Sequence, residues 1–125
     1  MILDTNALSA VADGDAAAVV LFKRSSSVAI PVIVLGEYRY GIALSHRRQE
    51  YERWLARALA SCFVLEINEG TSAEYAAIRL ELRRAGTLIP MNDIWIAALC
   101  RQHALPILTR DAHFDVVSGV QRLSW

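Results

Sequence analysis

The sequence predicts an α/β fold, a parallel sheet with helices packed on it. Short aliphatic runs, beginning with Ile2-Leu3, alternate with longer stretches of helical spacing, and such alternation gives parallel strands joined by right-handed crossovers. Hydrophobic residues make up 54% of the 125-residue chain, enough for a sheet buried on both faces. Carboxylates follow the aliphatic runs, Asp4 after Ile2-Leu3 and Asp111 after Leu108-Thr109-Arg110. Ligands of open parallel sheets bind just beyond the carboxyl ends of strands.

Length alone predicts one domain over residues 1–125, large enough for its own core. Thirteen basic and thirteen acidic residues cancel, which argues against a protein that coats nucleic acid by bulk charge and leaves room for a local basic rim. Cys62 and Cys100 sit in apolar surroundings without a close pair and read as core thiols of a reducing compartment. No apolar run approaches the roughly 18 residues of a membrane span. No basic segment precedes Ile2-Leu3 as in a secretion signal. A cytoplasmic protein with no membrane attachment is expected.

The elements follow in order. After Asn6, residues 7–12 predict a short helix ending near Asp13-Gly14, and Asp15 caps a second helix to about Arg24. Val28-Ala29-Ile30 predicts a strand that Pro31 ends. A helix from Val32 to Leu44 carries Leu35, Tyr38 and Ile42 at core spacing. Glu37 lies on it, and Gly36 and Gly41, weak helix formers, suggest close packing there. His46 to Ala60 predicts an amphipathic helix with Trp54, Leu55 and Leu59 inward and its arginines in solvent. Phe63 to Ile67 predicts a strand. Thr71-Ser72-Ala73-Glu74 predicts a capping box with Thr71 at the N-cap, opening a helix to Arg84 that Gly86 closes. Asp93 starts a helix apolar nearly all round, hence central. Pro106 to Thr109 predicts a buried strand, His113 to Val117 a helical turn, and Val120 to Trp125 an edge strand.

Asp4 and Asp111 leave strand carboxyl ends, whereas spacing leaves open whether Asp93 leans over those ends or lies at the opposite edge. Asp4 also has a purely structural reading as a helix cap. If the acids converge, their mutual repulsion calls for a cation between them. Oxygen-only donors suit Mg²⁺ or Mn²⁺, and no His/Cys set for zinc is present. His46, His103 and His113 are scattered and read as surface or structural residues. Hard cations held this way bind phosphates and activate water against phosphorus.

Four stretches carry a resemblance: Ile2-Leu3-Asp4-Thr5-Asn6, Glu37 to Ile42, Asn92 to Ala98, and Leu108 to Phe114. In this order and at these intervals they resemble the PIN domain, and more narrowly the VapC toxins of toxin–antitoxin pairs. The resemblance implies a three-layer α/β/α fold around five parallel strands. It implies that Asp4, Glu37, Asp93 and Asp111 hold Mg²⁺ or Mn²⁺ and direct hydrolysis of RNA. Thr5, Asn6 and Thr109 match small polar positions that orient acids and waters, and Asp115 falls where some members carry a further acid. Homodimers and inhibition by a small antitoxin protein are implied as well.

Competing readings fit less well. A HAD-type phosphatase needs a second acid two residues after Asp4, where Asn6 stands, and a receiver domain needs a lysine near Thr109-Arg110. A non-catalytic PIN-fold module that binds RNA or a protein is the alternative function. RNA held across the acids would rest on arginines among Arg47, Arg48, Arg79, Arg83 and Arg110.

Overall fold

The computed structural model describes residues 1–125. Strand β1 (Ile2–Leu3) is followed by α1 (Thr5–Ala12), α2 (Ala16–Arg24), β2 (Ala29–Pro31), α3 (Val32–Ala43) and α4 (Arg48–Leu59). Then come β3 (Phe63–Leu65), α5 (Glu69–Ala85), α6 (Met91–His103), β4 (Ile107–Leu108), a 3-10 turn (Ala112–Val116) and β5 (Arg122–Leu123). The strands form one five-stranded sheet in the order β3-β2-β1-β4-β5. Every pairing is parallel, with Ile2 opposite Ala29 on one side and Ile107 on the other.

That order places the site. The chain runs outward from β1 to β2 and β3, then returns to the other side of β1 for β4 and β5. The reversal between β1 and β4 opens a crevice at their carboxyl ends, where such sheets bind ligands. Asp4 and Asp111 flank it. Helix α6 leads directly into β4, so its amino end lies at the same edge. This settles the position of Asp93, in the first turn of α6.

The strands are two or three residues long, and buried side chains add to the backbone pairing that holds them. Ile2, Leu3, Ile30, Ile107 and Leu108 have no exposed surface, and neither have Ile96, Ala97, Ala98 and Leu99 of α6. Burying one such aliphatic side chain stabilises by about 1.5–3 kcal/mol. The run expected as a strand to Ile67 stops at Leu65. β3 is an edge strand, and its Phe63 and Val64 are exposed, so apolar content there marks no core. Cys100 is buried and its thiol is pushed up to about 12 by burial. Cys62 is only partly buried, unlike the core thiol expected.

Two helix details differ from expectation. Helix α5 is capped by Asn68, not Thr71: the Asn68 side chain accepts from Thr71 N–H at 3.2 Å, and Thr71 Oγ1 accepts from Asn68 N–H at 3.1 Å. Asn is the better N-cap residue and Thr71 completes the reciprocal box from N3. Glu74, released from capping, pairs with Arg101 at 3.0 Å. A Cβ at Gly36 or Gly41 would meet nothing within 4 Å, so no close packing explains either glycine. Gly86 adopts the left-handed conformation (φ 69°) that ends α5. No helix is long and apolar enough to cross a membrane.

Candidate active site

Asp4 is both a helix cap and the anchor of a polar cluster. Its Oδ1 accepts from Thr5 N–H at 2.8 Å at the start of α1. Its Oδ2 accepts from Thr109 Oγ1 at 2.7 Å and Asn6 Nδ2 at 3.0 Å. The Thr109 hydroxyl, having given its one proton to Asp4, accepts from Asn6 Nδ2 at 3.0 Å and Asp111 N–H at 2.9 Å. Asn6 Oδ1 accepts from Arg110 N–H at 3.2 Å. The end of β1 is thereby tied to the end of β4 by side chains whose donors are all used. Thr109 is fully buried and Asp4 nearly so.

Glu37 arrives from α3. One of its oxygens accepts from the Thr5 hydroxyl, and the other accepts from Asn92 Nδ2 at 2.7 Å. Asp93 and Asp111 stand on either side of His113, whose Nδ1 lies 2.9 Å from Asp93 Oδ2 and 3.2 Å from Asp111 Oδ2. One donor atom from each of Asp93, Asp111 and His113 falls within a 4.8 Å cluster. A cleft of about 210 Å³ opens beside Thr5 and Glu37, walled by Tyr38 and Tyr51.

Charge accumulates here. Burial holds the Asp4 carboxyl above its ordinary value despite the bonds from Thr109 and Thr5, and the charges of Asp93 and Glu37 push the same way. Asp93 is raised by burial and by the neighbouring charges of Asp111 and Glu37, while His113 pulls it down. His113 in turn is raised, chiefly by its bond to Asp93. Closely set carboxylates of this kind suit a small divalent cation.

All four acids singled out in the sequence therefore meet at one crevice, with Thr5, Asn6 and Thr109 bonded among them. Asp115 does not join them: both of its oxygens are held by Arg122, at 2.6 and 2.8 Å. Asn92 and His113 are additions. Asn92 adjoins Asp93 at a helix start, a weak signal. From sequence His113 reads as a surface or structural residue; of its two partners, Asp111 lies two residues before it and Asp93 twenty residues before it on another element.

Most of the rim arginines already have partners. Arg47 pairs with Glu50 at 2.7 Å and stacks on Tyr51, and Arg48 pairs with Glu52 at 2.7 Å. Arg110 lies over the Trp125 ring and reaches Asp15 at 3.4 Å. Arg79 donates to the Tyr75 hydroxyl at 2.9 Å, and Arg83 forms no ion pair.

A three-layer fold with a crevice of acids at the β1–β4 switch defines a class, and the sequence agrees: residues 1–120 match the PIN domain. The chain belongs to the PIN domain family. Over 94 residues it is 30% identical to Ribonuclease VapC5 of Mycobacterium tuberculosis, covering 74% of this chain and 70% of that one. To Ribonuclease VapC4 of the same organism it is 34% identical, covering 74% and 72%. FitAcB from Neisseria gonorrhoeae superposes with a TM-score of 0.81 at 27% identity, over 98% of this chain and 95% of that one. VapBC2 from Rickettsia felis, solved bound to a DNA fragment from its promoter, gives a TM-score of 0.87 at 22% identity, over 99% and 97%. That likeness is one of fold.

Proposed function

We propose that this chain is a metal-dependent endoribonuclease and the toxin of a toxin–antitoxin pair. The observation that carries the reading is the convergence of Asp4, Glu37, Asp93 and Asp111 on one crevice, in a chain similar to two VapC ribonucleases. Similarity to proteins solved as VapBC complexes supports a small antitoxin as partner. The whole of 1–125 acts as one PIN domain, in the cytoplasm and as a homodimer.

The donor set fits Mg²⁺ or Mn²⁺, hard cations that take carboxylate oxygens and keep several waters. When bound, such an ion supplies positive charge to the phosphate oxygens and lowers the pKa of water. Asp4, Glu37, Asp93 and Asp111 would hold it. The protein's own contribution is to fix those acids beforehand. Thr109 and Asn6 hold Asp4, Thr5 and Asn92 hold Glu37 from opposite sides, and Asp111 is set by its own cap on His113 N–H at 2.8 Å. A bound cation would offset the mutual repulsion of these acids. RNA then lies across the crevice, its flanking phosphates placed by rim arginines. Arg83 is the one among the five expected that is free of side-chain pairing.

RNA cleavage by the purified protein, with Mg²⁺ or Mn²⁺ and then with EDTA, tests the reading. Cleavage that needs the metal and stops in chelator is expected. Full cleavage in chelator overturns the metal mechanism, and no cleavage of any RNA with metal bound leaves a binding module.

A further inference from the structure

We infer that His113 is a metal ligand, a nitrogen donor added to the carboxylates, and that it turns the site's preference from Mg²⁺ toward first-row transition metals such as Mn²⁺ and Co²⁺. The inference rests on the metal site proposed above and goes beyond it by assigning a residue and a selectivity.

The geometry is that of a donor set. The Nδ1 of His113 is 2.9 Å from Asp93 Oδ2 and 3.2 Å from Asp111 Oδ2. In six-coordination with bonds of about 2.1 Å, adjacent donors lie about 3 Å apart. The nitrogen stands at that spacing from each carboxylate, and all three donor atoms lie within 4.8 Å of one another.

The ring is also held in place. Asp111 Oδ1 accepts from His113 N–H at 2.8 Å, while Oδ2 of the same carboxylate faces the ring. The next residue, Phe114, is fully buried and anchors the 3-10 turn in the core. The imidazole stays at the surface: its side chain is 49% exposed, and its polar partners are Asp93 and Asp111. A structural histidine is held by its surroundings. This one is held by its backbone and aims its nitrogen at two carboxylates.

The chemistry follows from donor type. Carboxylate and water suit Mg²⁺ and Mn²⁺ alike, and the imidazole adds a nitrogen donor, for which affinity rises along the first row from Mn²⁺ to Co²⁺. Only the Nδ1 lone pair is needed, so the ligating tautomer carries its proton on Nε2.

The test compares the wild type with His113→Asn and His113→Asp, each checked for native circular dichroism. Mn²⁺ and Mg²⁺ binding is measured by calorimetry, and electron spin-echo modulation is recorded on the Mn²⁺-loaded proteins. The wild type should show modulation from a directly bound nitrogen, lost in both variants. Mn²⁺ affinity should fall about tenfold or more in His113→Asn, with little change for Mg²⁺. His113→Asp should bind Mg²⁺ at least as tightly as the wild type, without the nitrogen signal. Mn²⁺ bound to the wild type without nitrogen coupling, or equal losses for both metals, overturns the inference and leaves the ribonuclease reading standing. No metal bound to the wild type overturns both.

Discussion

Helix α6 carries a polar cluster at each end, and the two are built differently. At its last turn, Gln102 joins Asn68 and the fully buried Thr71. Thr71 Oγ1 lies 2.5 Å from Gln102 Oε1, and Gln102 Nε2 donates to Asn68 Oδ1 at 2.9 Å. Every group there is neutral and partnered. A Cβ on the adjacent Gly70 would stand 2.9 Å from Gln102 Nε2, so the amide packs directly over the glycine. At the first turn, about 13 Å away along the helix, Asp93 faces Asp111, with Glu37 near enough that its charge pushes both Asp4 and Asp93 upward. A neutral, closed network stabilises a fold. A charged one with its carboxylates turned toward each other is kept for a ligand, at a cost in stability.

The sharpest way to separate the two ends is by activity. Asp93→Asn or Asp111→Asn should lower RNA cleavage by at least about 100-fold, a loss of the size seen when a transition-state charge partner is removed. The melting temperature in chelator should stay the same or rise, because one repelling charge is gone. A lowered melting temperature would make the acids structural.

The opposite pattern is expected at the other end. Thr71→Val should strand the Asn68 and Gln102 amides and destabilise by about 1–3 kcal/mol. Cleavage per folded molecule should be unchanged. Denaturant titration together with active-site-normalised rates would show it, and a loss of rate would merge the two clusters into one function.

The smallest effect is one of pH. Asp4 and Asp93 are raised above their ordinary 3.8 and His113 above 6.5, so the folded protein binds more protons than the unfolded chain at all three. Their contribution to stability is full below the ordinary value and is lost as pH rises through the folded value. In chelator, the wild type should therefore lose stability relative to Asp4→Asn as pH rises from about 4 toward neutrality. Metal should erase the difference. Exposed acids held low by partners, such as Asp115 by Arg122, act in the reverse sense and cancel in that comparison. A difference that is flat, or that grows with pH in favour of the wild type, would contradict the buried charge of Asp4.

Much of this was legible from local pattern. Asp4 and Asp111 follow aliphatic strands directly, so their placement needed only the strand reading, and the apolar character of α6 announced a central helix. Glu37 needed the family resemblance, since nothing local separates it from a surface Glu. Asp93 needed topology: only the connection from α6 into β4 puts its amino end over the carboxyl edge. His113 was illegible because its partners are fixed by tertiary folding, one of them on another element. The Thr71-to-Glu74 pattern suggests a cap at Thr71, but the helix starts three residues earlier at Asn68, where Thr71 and Gln102 bond its backbone and side chain.

The stitching of β1 to β4 also bears on synthesis. The hydrogen bond from Thr109 to Asp4 spans 105 residues, and Ile2 finds its sheet partner in Ile107. Asp4 is made 105 residues before Thr109, so this bond waits until the chain as far as β4 has left the ribosome. Contacts so distant in sequence form slowly, because the intervening chain must first be closed into a loop. A nascent or truncated chain therefore holds its acids apart, and the crevice exists only once β4 has docked.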